Sequence, residues 1–289
     1  MQNRKRLLVS GGIALPTSIL VAGLWICTGG ISQATIQANM HSVSEGFFTV
    51  RAATTKQARS TINLVASEFK RVKSLLPLNT QKVDRPVIIS LWQNTAELEA
   101  NTNMPVEHAG GIFNPDKTRF SIDLVYVSDT QFRKIISHEL CHILLHHFVE
   151  EGSPGNRNPL PLAINEGLAT YCESSQDYDR IILAGRAFDS NMHIPLDRLL
   201  QIYKYSDIIP GEIALFYAES YSFTHFLSDR LTPTQWSSIL LEMRDGKDFI
   251  SSLRRALLLS ETSGLTEAIE KAWKTYAIFQ KDITECIVK

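Results

Sequence analysis

Two periods of apolar and polar residues follow each other along this chain, and they predict different elements. Apolar runs bounded by polar or turn residues predict strands at Phe47–Arg51, Arg85–Trp92, Gly111–Phe113 and Thr118–Val127, the last two forming a hairpin around Asn114-Pro115-Asp116. The helical period predicts a helix over Thr54–Leu76. Since strands come first and helices after, the pattern predicts an α+β domain with a small antiparallel-type sheet, not a parallel doubly wound sheet.

The second half of the chain is predicted to be mostly helical. A helix over Asp129–Val149 carries an apolar stripe made of Phe132, Ile135, Ile136, Leu140, Ile143, Leu144 and Phe148. Further on, Thr232-Pro233-Thr234-Gln235 combines a capping residue, proline at the first helical position and glutamine at the capping-box position. Residues 36–289 are therefore predicted to form one α+β domain whose second half is helical.

The amino terminus differs from this domain and is predicted to be a membrane anchor or a signal segment, residues 1–35. Arg4-Lys5-Arg6 precedes a run without charges from Leu7 to Thr35, which is long enough to span a bilayer, with residues 7–31 in the membrane. Ser32-Gln33-Ala34 offers a cleavage site, so a cleaved signal stays an alternative. The basic cluster favours cytoplasmic first residues, which predicts a domain outside the cytoplasm, anchored or secreted.

Composition narrows the function classes. Hydrophobic residues make up 44% of the 289 residues and the net charge is −1, so there is no basic footprint for nucleic acid. The chain also lacks a glycine-rich phosphate loop. Cys141 and Cys172 are predicted to be small buried hydrophobes, although a bridge between them is conceivable outside the cytoplasm.

The helix over Asp129–Val149 contains the residues with the clearest chemistry. His138-Glu139-Leu140-Cys141-His142 places two imidazoles four residues apart, on one face and off the centre of the apolar stripe. A catalytic Zn²⁺ takes three protein ligands and keeps one position open for water. Asn165-Glu166-Gly167-Leu168-Ala169 begins the next helix and offers Glu166 as the third ligand.

Other candidates for the third ligand fit less well. His146 continues the histidine series but lies about 12 Å along the axis from His138, too far to share one ion. Glu150 and Glu151 stand at the helix end, where solvated charges are common. We therefore predict a Zn²⁺ site formed by His138, His142 and Glu166.

These motifs resemble the gluzincin metallopeptidases, whose third zinc ligand is the glutamate of Asn-Glu-Gly. The spacing from His142 to Glu166 is longer here than in the membrane alanyl aminopeptidases, and no Gly-x-Met-Glu-Asn segment is present. The chain is more similar to the small bacterial peptidase-MA-like domain proteins, over roughly residues 45–280. That similarity includes Gly110-Gly111-Ile112-Phe113-Asn114-Pro115, Tyr217-Ala218-Glu219-Ser220 and Trp273-Lys274-Thr275-Tyr276. It implies a zincin-like catalytic domain.

The resemblance also implies residue roles. A zinc-bound water would attack the peptide carbonyl with Glu139 as general base, and Tyr217, or else Tyr221, would donate to the oxyanion. The glycine-containing strand at Gly110–Phe113 would pair with an extended peptide. Two other classes remain open: a zinc-binding but non-catalytic module tethered at the membrane, and a membrane-tethered helical interaction protein without metal.

Overall fold

The computed structural model describes residues 40–76, 78, 85–102, 111–115, 119–125, 128–150, 160–173, 176–258 and 264–288. The predicted membrane segment at 1–35 and most of the loop between the two metal-motif helices, 151–159, lie outside these residues. Among the helices that the structure describes, none is both long and apolar enough to cross a bilayer. The anchor therefore stays a prediction.

The strands of the described residues form one sheet in the order β1-β2-β3-β5-β4. Their bounds are β1 His41–Glu45, β2 Phe48–Ala52, β3 Val87–Trp92, β4 Gly111–Pro115 and β5 Phe120–Val125. Buried and partly exposed residues alternate along β2, β3 and β5, as the period of a strand requires when one face packs against helices. Within the described sheet, β4 is an edge strand beside β5.

The sheet is mixed, so the prediction of an antiparallel-type sheet is wrong for its centre. The outer pairs β1–β2 and β4–β5 are antiparallel, whereas β2–β3 and β3–β5 are parallel. Parallel neighbours need a crossover connection, and helix α1, Thr55–Leu75, provides one between β2 and β3. A helix was predicted in this place, so the parallel pairing of the strands beside it could have been inferred.

The α+β class is confirmed, with helices forming most of the chain after β5. After α1 they are α2 Thr95–Thr102, α3 Asp129–Leu145, α4 Leu162–Tyr171, α5 Tyr178–Asp189, α6 Leu196–Gln201, α7 Ile213–Ser228, α8 Pro233–Arg244, α9 Phe249–Ala256 and α10 Leu265–Ile287. A π-helical turn, His146–Glu150, follows α3, and a 3-10 turn, Tyr205–Asp207, follows α6. The predicted capping box at Thr232 and Gln235 is present at the start of α8.

Helix α3 lies between the sheet layer and the helical half, and a buried carboxylate holds it against α1. Glu68 of α1 accepts hydrogen bonds from Arg133 Nη1 at 2.7 Å and from Ser137 Oγ at 3.0 Å, both on α3. Arg71, one turn from Glu68, donates to the same carboxylate at 2.6 Å. A buried charge that is paired in this way fixes the direction of α3, and hence of any side chain on its other face.

The helical half has its own core around Trp273 of α10. This indole is completely buried, contacts the rings of Phe188 and Phe223, and donates through Nε1 to Ser222 Oγ at 3.1 Å. The contact ties α10 to α5 and α7. Helix α7 in turn packs against α4, so the helical half positions the second metal-motif helix.

Candidate metal centre

The two histidines of α3 and the glutamate of α4 come together in the structure. His138 and His142 lie one turn apart with their ring centroids 4.8 Å from each other. One ligand atom from each of His138, His142 and Glu166 lies within 4.8 Å of the other two. The three residues predicted as ligands therefore share one site, which lies between α3 and α4.

Gly167 explains how α4 comes close enough to place Glu166. A Cβ atom at this glycine would lie 2.1 Å from Thr224 Oγ1 and 2.4 Å from the backbone oxygen of Ser220, both on α7. Contacts that short are impossible, so only glycine permits this helix crossing. The residue after the predicted ligand is thus fixed by packing, and the packing directs the carboxylate of Glu166 toward α3.

Both imidazoles are oriented through their Nδ1 atoms. His138 Nδ1 lies 3.0 Å from Glu173 Oε1, and His142 Nδ1 lies 3.1 Å from Asn165 Oδ1. Since both partner atoms are acceptors, Nδ1 carries the proton in each ring. Each Nε2 then keeps its lone pair when the ring is neutral, and lone pairs at Nε2 are what a metal ion binds.

The two spacings between imidazole nitrogens and carboxylate oxygens are close to those expected around a zinc ion. Two ligands of a tetrahedral zinc, each about 2.0–2.1 Å from the ion, are about 3.3–3.4 Å apart. The distance from His138 Nε2 to Glu166 Oε2 is 3.3 Å, and that from His142 Nε2 to Glu166 Oε1 is 3.6 Å. Glu166 Oε2 is buried and has no hydrogen-bond partner among the described residues. A buried carboxylate oxygen without a partner is unfavourable unless a cation completes it, so these residues fit the ion.

The charges of the site also favour a cation. Burial raises the pKa of Glu166, but the imidazoles of His142 and His138 outweigh that effect and hold the pKa at about 2. Burial lowers the pKa of His138, but Glu166 and Glu173 outweigh that effect and raise the pKa to about 10. The two pKa shifts have a common cause. The carboxylates around the imidazoles stabilise positive charge at the place where a metal ion would bind.

Glu139, the predicted base, is buried next to this cluster. Burial raises its pKa, the imidazoles of His138 and His142 lower it, and the carboxylates of Glu166 and Glu173 raise it again. Its net shift is upward. A carboxylate whose pKa is raised by burial holds a proton more firmly, as proton transfer near neutral pH requires.

The predicted oxyanion donor, Tyr217 of α7, reaches the site through a second tyrosine that sequence reasoning missed. Tyr205 donates its hydroxyl hydrogen to Glu166 Oε1 at 2.8 Å, and the hydroxyl of Tyr217 lies 3.3 Å from that of Tyr205. The fallback residue, Tyr221, is directed elsewhere, because its hydroxyl interacts with the backbone of Asp177. Burial raises the pKa of both Tyr205 and Tyr217, so both phenols stay protonated and can donate hydrogen bonds.

Glu173 is the other functional candidate that the sequence analysis missed. It accepts from His138 and forms an ion pair with Lys134, whose Nζ lies 3.1 Å from its Oε2. Glu173 lies two residues beyond the end of α4, in the chain that leaves the helix, so no helical spacing from Glu166 places it beside His138. Tyr205 likewise carries no spacing signal, because a turn distant in sequence brings it to Glu166.

The residues that the sequence analysis weighed without assigning to the site lie outside the cluster. His146 contacts the rings of Phe113 and Phe120, with centroids 5.8 and 5.9 Å away, and does not join the three ligand-type residues. Cys141 and Cys172 are buried free thiols, so the bridge considered between them is not formed. Burial of the two cysteines agrees with their predicted packing role.

Comparison with known proteins identifies a family whose sequence model matches this chain. The sequence model of a family described as "Peptidase MA superfamily" matches residues 71–278, more than half of the chain. The matched segment includes the two histidines, Glu139 and Glu166. Among curated proteins, no match to the chain is found.

Proposed function

Because the chain belongs to the peptidase MA superfamily, we propose that it is a zinc-dependent peptidase of the gluzincin type that hydrolyses peptide bonds. Members of this superfamily are typically zinc-dependent. The observation that carries the proposal is the set of three ligand-type side chains within 4.8 Å, with both Nδ1 atoms already bonded to acceptors. A site whose imidazoles are oriented in this way has its Nε2 atoms directed at one ion.

His138, His142 and Glu166 would hold the zinc ion, which, when bound, would act as a Lewis acid and acidify a water molecule. Glu139 would accept a proton from the attacking water and pass it to the nitrogen of the leaving amine. Its burial supports this role, since a raised pKa makes the carboxylate a stronger base toward that water. A purely structural zinc site needs no such base and normally has a fourth protein ligand.

Tyr217 and Tyr205 would donate hydrogen bonds on the opposite side of the site. Tyr217 is the residue that the family resemblance assigns to the oxyanion, and its hydroxyl is one hydrogen bond away from Glu166 through Tyr205. Arg180 lies over the ring of Tyr217, 5.6 Å from its centroid, which restricts the position of that ring. We infer that Tyr217, which donates its hydroxyl hydrogen to Tyr205 in this structure, would turn it to the developing oxyanion, while Tyr205 would keep its hydrogen bond to Glu166.

Strand β4 would bind the substrate backbone. It lies at the edge of the described sheet and is antiparallel to β5, so its outer backbone groups can pair with an extended peptide. Phe113 of β4 contacts His142, with ring centroids 6.3 Å apart, which places this strand beside the metal cluster. A peptide paired with β4 would therefore pass the site.

We further propose that residues 1–35 anchor the enzyme in a membrane, with the peptidase domain outside the cytoplasm and a peptide or protein as its partner. The support is the sequence alone: the basic residues Arg4-Lys5-Arg6 before a long run without charges. A reporter fused after Lys289 should be active only outside the cytoplasm. A reporter active in the cytoplasm would reverse this orientation.

The function is tested by measuring zinc and hydrolysis on the same preparations. The full chain should hold about one zinc per molecule, as a single three-ligand site requires, and cleave casein in a chelator-sensitive manner. Glu139→Gln should keep its zinc and fold but lose at least about a hundredfold in rate, since general-base catalysis contributes about 10²–10⁴-fold. A wild type that binds zinc but cleaves no peptide of a broad library would instead be a zinc-binding, non-catalytic module.

A further inference from the structure

Arg180, in the first turn of α5, connects two of the helices that supply residues to the candidate site. Its Nη1 atom donates a hydrogen bond to Thr170 Oγ1 of α4 at 3.0 Å. Its Cζ atom lies 5.6 Å from the ring centroid of Tyr217 on α7. The guanidinium therefore bridges the helix of the predicted third ligand and the helix of the predicted oxyanion donor.

The hydrogen bond to Thr170 gives the guanidinium a defined position relative to the metal cluster. Thr170 is buried and lies four residues after Glu166 in α4. Residues four apart in a helix lie one above the other on the same face. Arg180 is thus tied to the turn of α4 that follows Glu166, and the ring of Tyr217 packs against a group held at that turn.

Two carboxylates hold the rest of the guanidinium. Asp177 is the N-cap of α5 and accepts the backbone N–H of Arg180 at 3.2 Å, and its Oδ2 atom lies 3.5 Å from Arg180 Nε. Glu173 Oε1 lies 3.6 Å from Nη1. The side chain of Arg180 is only 27% exposed. A planar guanidinium held on several sides loses little further freedom when it supports another group, so Arg180 suits a rigid support.

The two carboxylates have a second cation, Lys134 of α3. Its Nζ atom lies 3.1 Å from Glu173 Oε2 and 2.9 Å from Asp177 Oδ2. The acceptor of His138 Nδ1, Glu173 Oε1, is therefore held from α3 as well as from α5. Removal of Arg180 should consequently disturb Tyr217 more than the imidazole of His138.

Tyr217 needs such a support if it is to act on the reaction. Its hydroxyl hydrogen is donated to Tyr205 in this structure, and it has to turn toward an oxyanion while the ring stays in place. A cation at the ring restricts the ring's position. Burial and the nearby carboxylates raise the pKa of Tyr217, whereas Arg180 lowers it. A positive charge beside the phenol thus makes its hydroxyl a stronger hydrogen-bond donor.

We propose that Arg180 is a positioning residue, which holds the ring of Tyr217 in place relative to Glu166 so that the phenol can donate to the oxyanion. Arg180 acts through Tyr217 and does not itself touch the reacting atoms. The proposal rests on the proposed zinc peptidase function, and it adds the residue that orients the oxyanion donor.

Steady-state kinetics test this role on the full-length, zinc-loaded chain with a fluorogenic peptide that wild type cleaves. Arg180→Met keeps an unbranched stem but removes the charge, and kcat should fall about 3–30-fold, the range expected for a partly buried cation–π contact. KM should change less than about twofold, because the donor acts on the oxyanion and not on the bound substrate. Arg180→Lys keeps the charge and should recover part of the loss.

A matched substitution on the same helix serves as the control. Arg186→Met makes the same change where the arginine pairs with Glu285 and is 67% exposed, and it should leave kcat unchanged. Zinc content and circular dichroism verify each variant. If Arg180→Met does not fold, Arg180→Lys takes its place in every comparison. Equal kcat values in the folded Arg180 and Arg186 variants would overturn the proposal.

A double-mutant cycle shows whether the effect passes through Tyr217. Tyr217→Phe keeps the ring but lacks the hydroxyl, so adding Arg180→Met to it should lower kcat by less than about twofold. The same fold-loss in both backgrounds would overturn the positioning role and leave the proposed function standing. A zinc-loaded wild type that cleaves no peptide of a broad library would overturn the function, and this role with it.

Discussion

Two buried glutamates on packed helices, Glu166 of α4 and Glu219 of α7, differ in the charge that their surroundings favour. Both are almost completely buried, at 2% and 0% exposed. The pKa of Glu166 is held at about 2 although burial alone would raise it, because two imidazoles face the carboxylate. For Glu219 burial dominates and raises the pKa to about 9. Burial penalises the charged form in both places, and the neighbouring groups decide whether the acid is charged.

The surroundings of Glu219 explain the difference. Its two oxygens accept the backbone N–H of Ile194 at 3.2 and 3.0 Å. Glu212 and Glu270 repel a negative charge there, and Arg198 offsets this only in part. The candidate metal centre thus favours positive charge. At Glu219, by contrast, burial and the nearby acids favour the neutral carboxylic acid, which lies against the backbone of Ile194.

The segment that contains Ile194 leads toward the metal centre. Glu270 accepts the backbone N–H of Leu196 at 2.7 Å and lies 3.0 Å from His193 Nε2, so Glu270 and Glu219 both fix residues 193–196. Helix α6 and the turn that carries Tyr205 follow directly. We therefore expect the two regions to differ in role as well: one would bind the ion, and the other would position Tyr205, which contacts Glu166.

The largest expected difference between the two glutamates is in zinc binding. Glu166→Gln removes the charged ligand and should lose most of the bound zinc, whereas Glu219→Gln should retain about one ion per chain, since it replaces a neutral acid by a neutral amide. Zinc is measured by mass spectrometry after gel filtration, with circular dichroism to verify folding. Full retention in folded Glu166→Gln would mean that the third ligand is another residue.

The second difference is in zinc affinity when an orienting group is removed. Glu173→Ala should weaken zinc binding about 10–100-fold, because His138 loses the acceptor at its Nδ1. Glu173→Gln, which keeps an acceptor oxygen, should recover part of that loss. Asp177→Asn is the matched control, because Asp177 pairs with the same Lys134 but accepts its other hydrogen bond from the backbone of Arg180. Affinities are measured by competition with a chromogenic chelator. Equal losses in Glu173→Ala and Asp177→Asn would assign the effect to the ion-pair cluster rather than to His138.

The third difference is in the pH dependence of stability. The pKa of Glu219 is higher in the folded chain, about 9, than the ordinary 4.5, so its favourable contribution is complete below pH 4.5 and is lost as the pH rises toward 9. Glu219→Gln has no such loss, and it should gain about 4–5 kcal/mol relative to wild type between pH 4.5 and pH 8.5, since each unit of pKa difference is worth about 1.4 kcal/mol. Urea unfolding at the two pH values measures this. A stability difference between variant and wild type that does not change with pH would show that Glu219 ionises normally.

The parts of the site that the sequence predicted are those that depend on local spacing. Two histidines four apart share a helix face whatever the rest of the fold does, and Glu139 lies between them by necessity. The three ligand-type residues were brought together as expected, while their roles stay predictions. The α+β class also followed from local periods, but the parallel pairing of β3 with β2 and β5 did not. Pairing depends on the path of the crossover connections rather than on any one strand.

What the sequence did not predict depends on long-range packing. Tyr205 reaches Glu166 from a turn 39 residues later, after α5 and α6 have intervened. Tyr217 was expected beside the centre because of a family resemblance, and it lies one hydroxyl farther away. No period or spacing in the chain links these residues, so only the folded backbone brings them together. The sequence motif contains Gly167, but it does not show why a glycine is needed there. The structure shows that α7 comes too close to α4 for a side chain.

The smallest expected effect tests the contact between the two regions. Tyr205→Phe removes the hydrogen bond to Glu166 Oε1 and keeps the ring, so the metal centre loses a single donor. The side chain is about half exposed, and water can replace the hydroxyl, so the loss should be about 0.5–1.5 kcal/mol, or about 2–10-fold in zinc affinity. Tyr203→Phe makes the same change two residues earlier, also at a partly exposed ring, and should leave the affinity unchanged. If Tyr205→Phe and Tyr203→Phe bind zinc equally well, the hydroxyl does not hold Glu166 in place. The segment fixed by Glu219 and Glu270 would then have no influence on the metal centre through this contact.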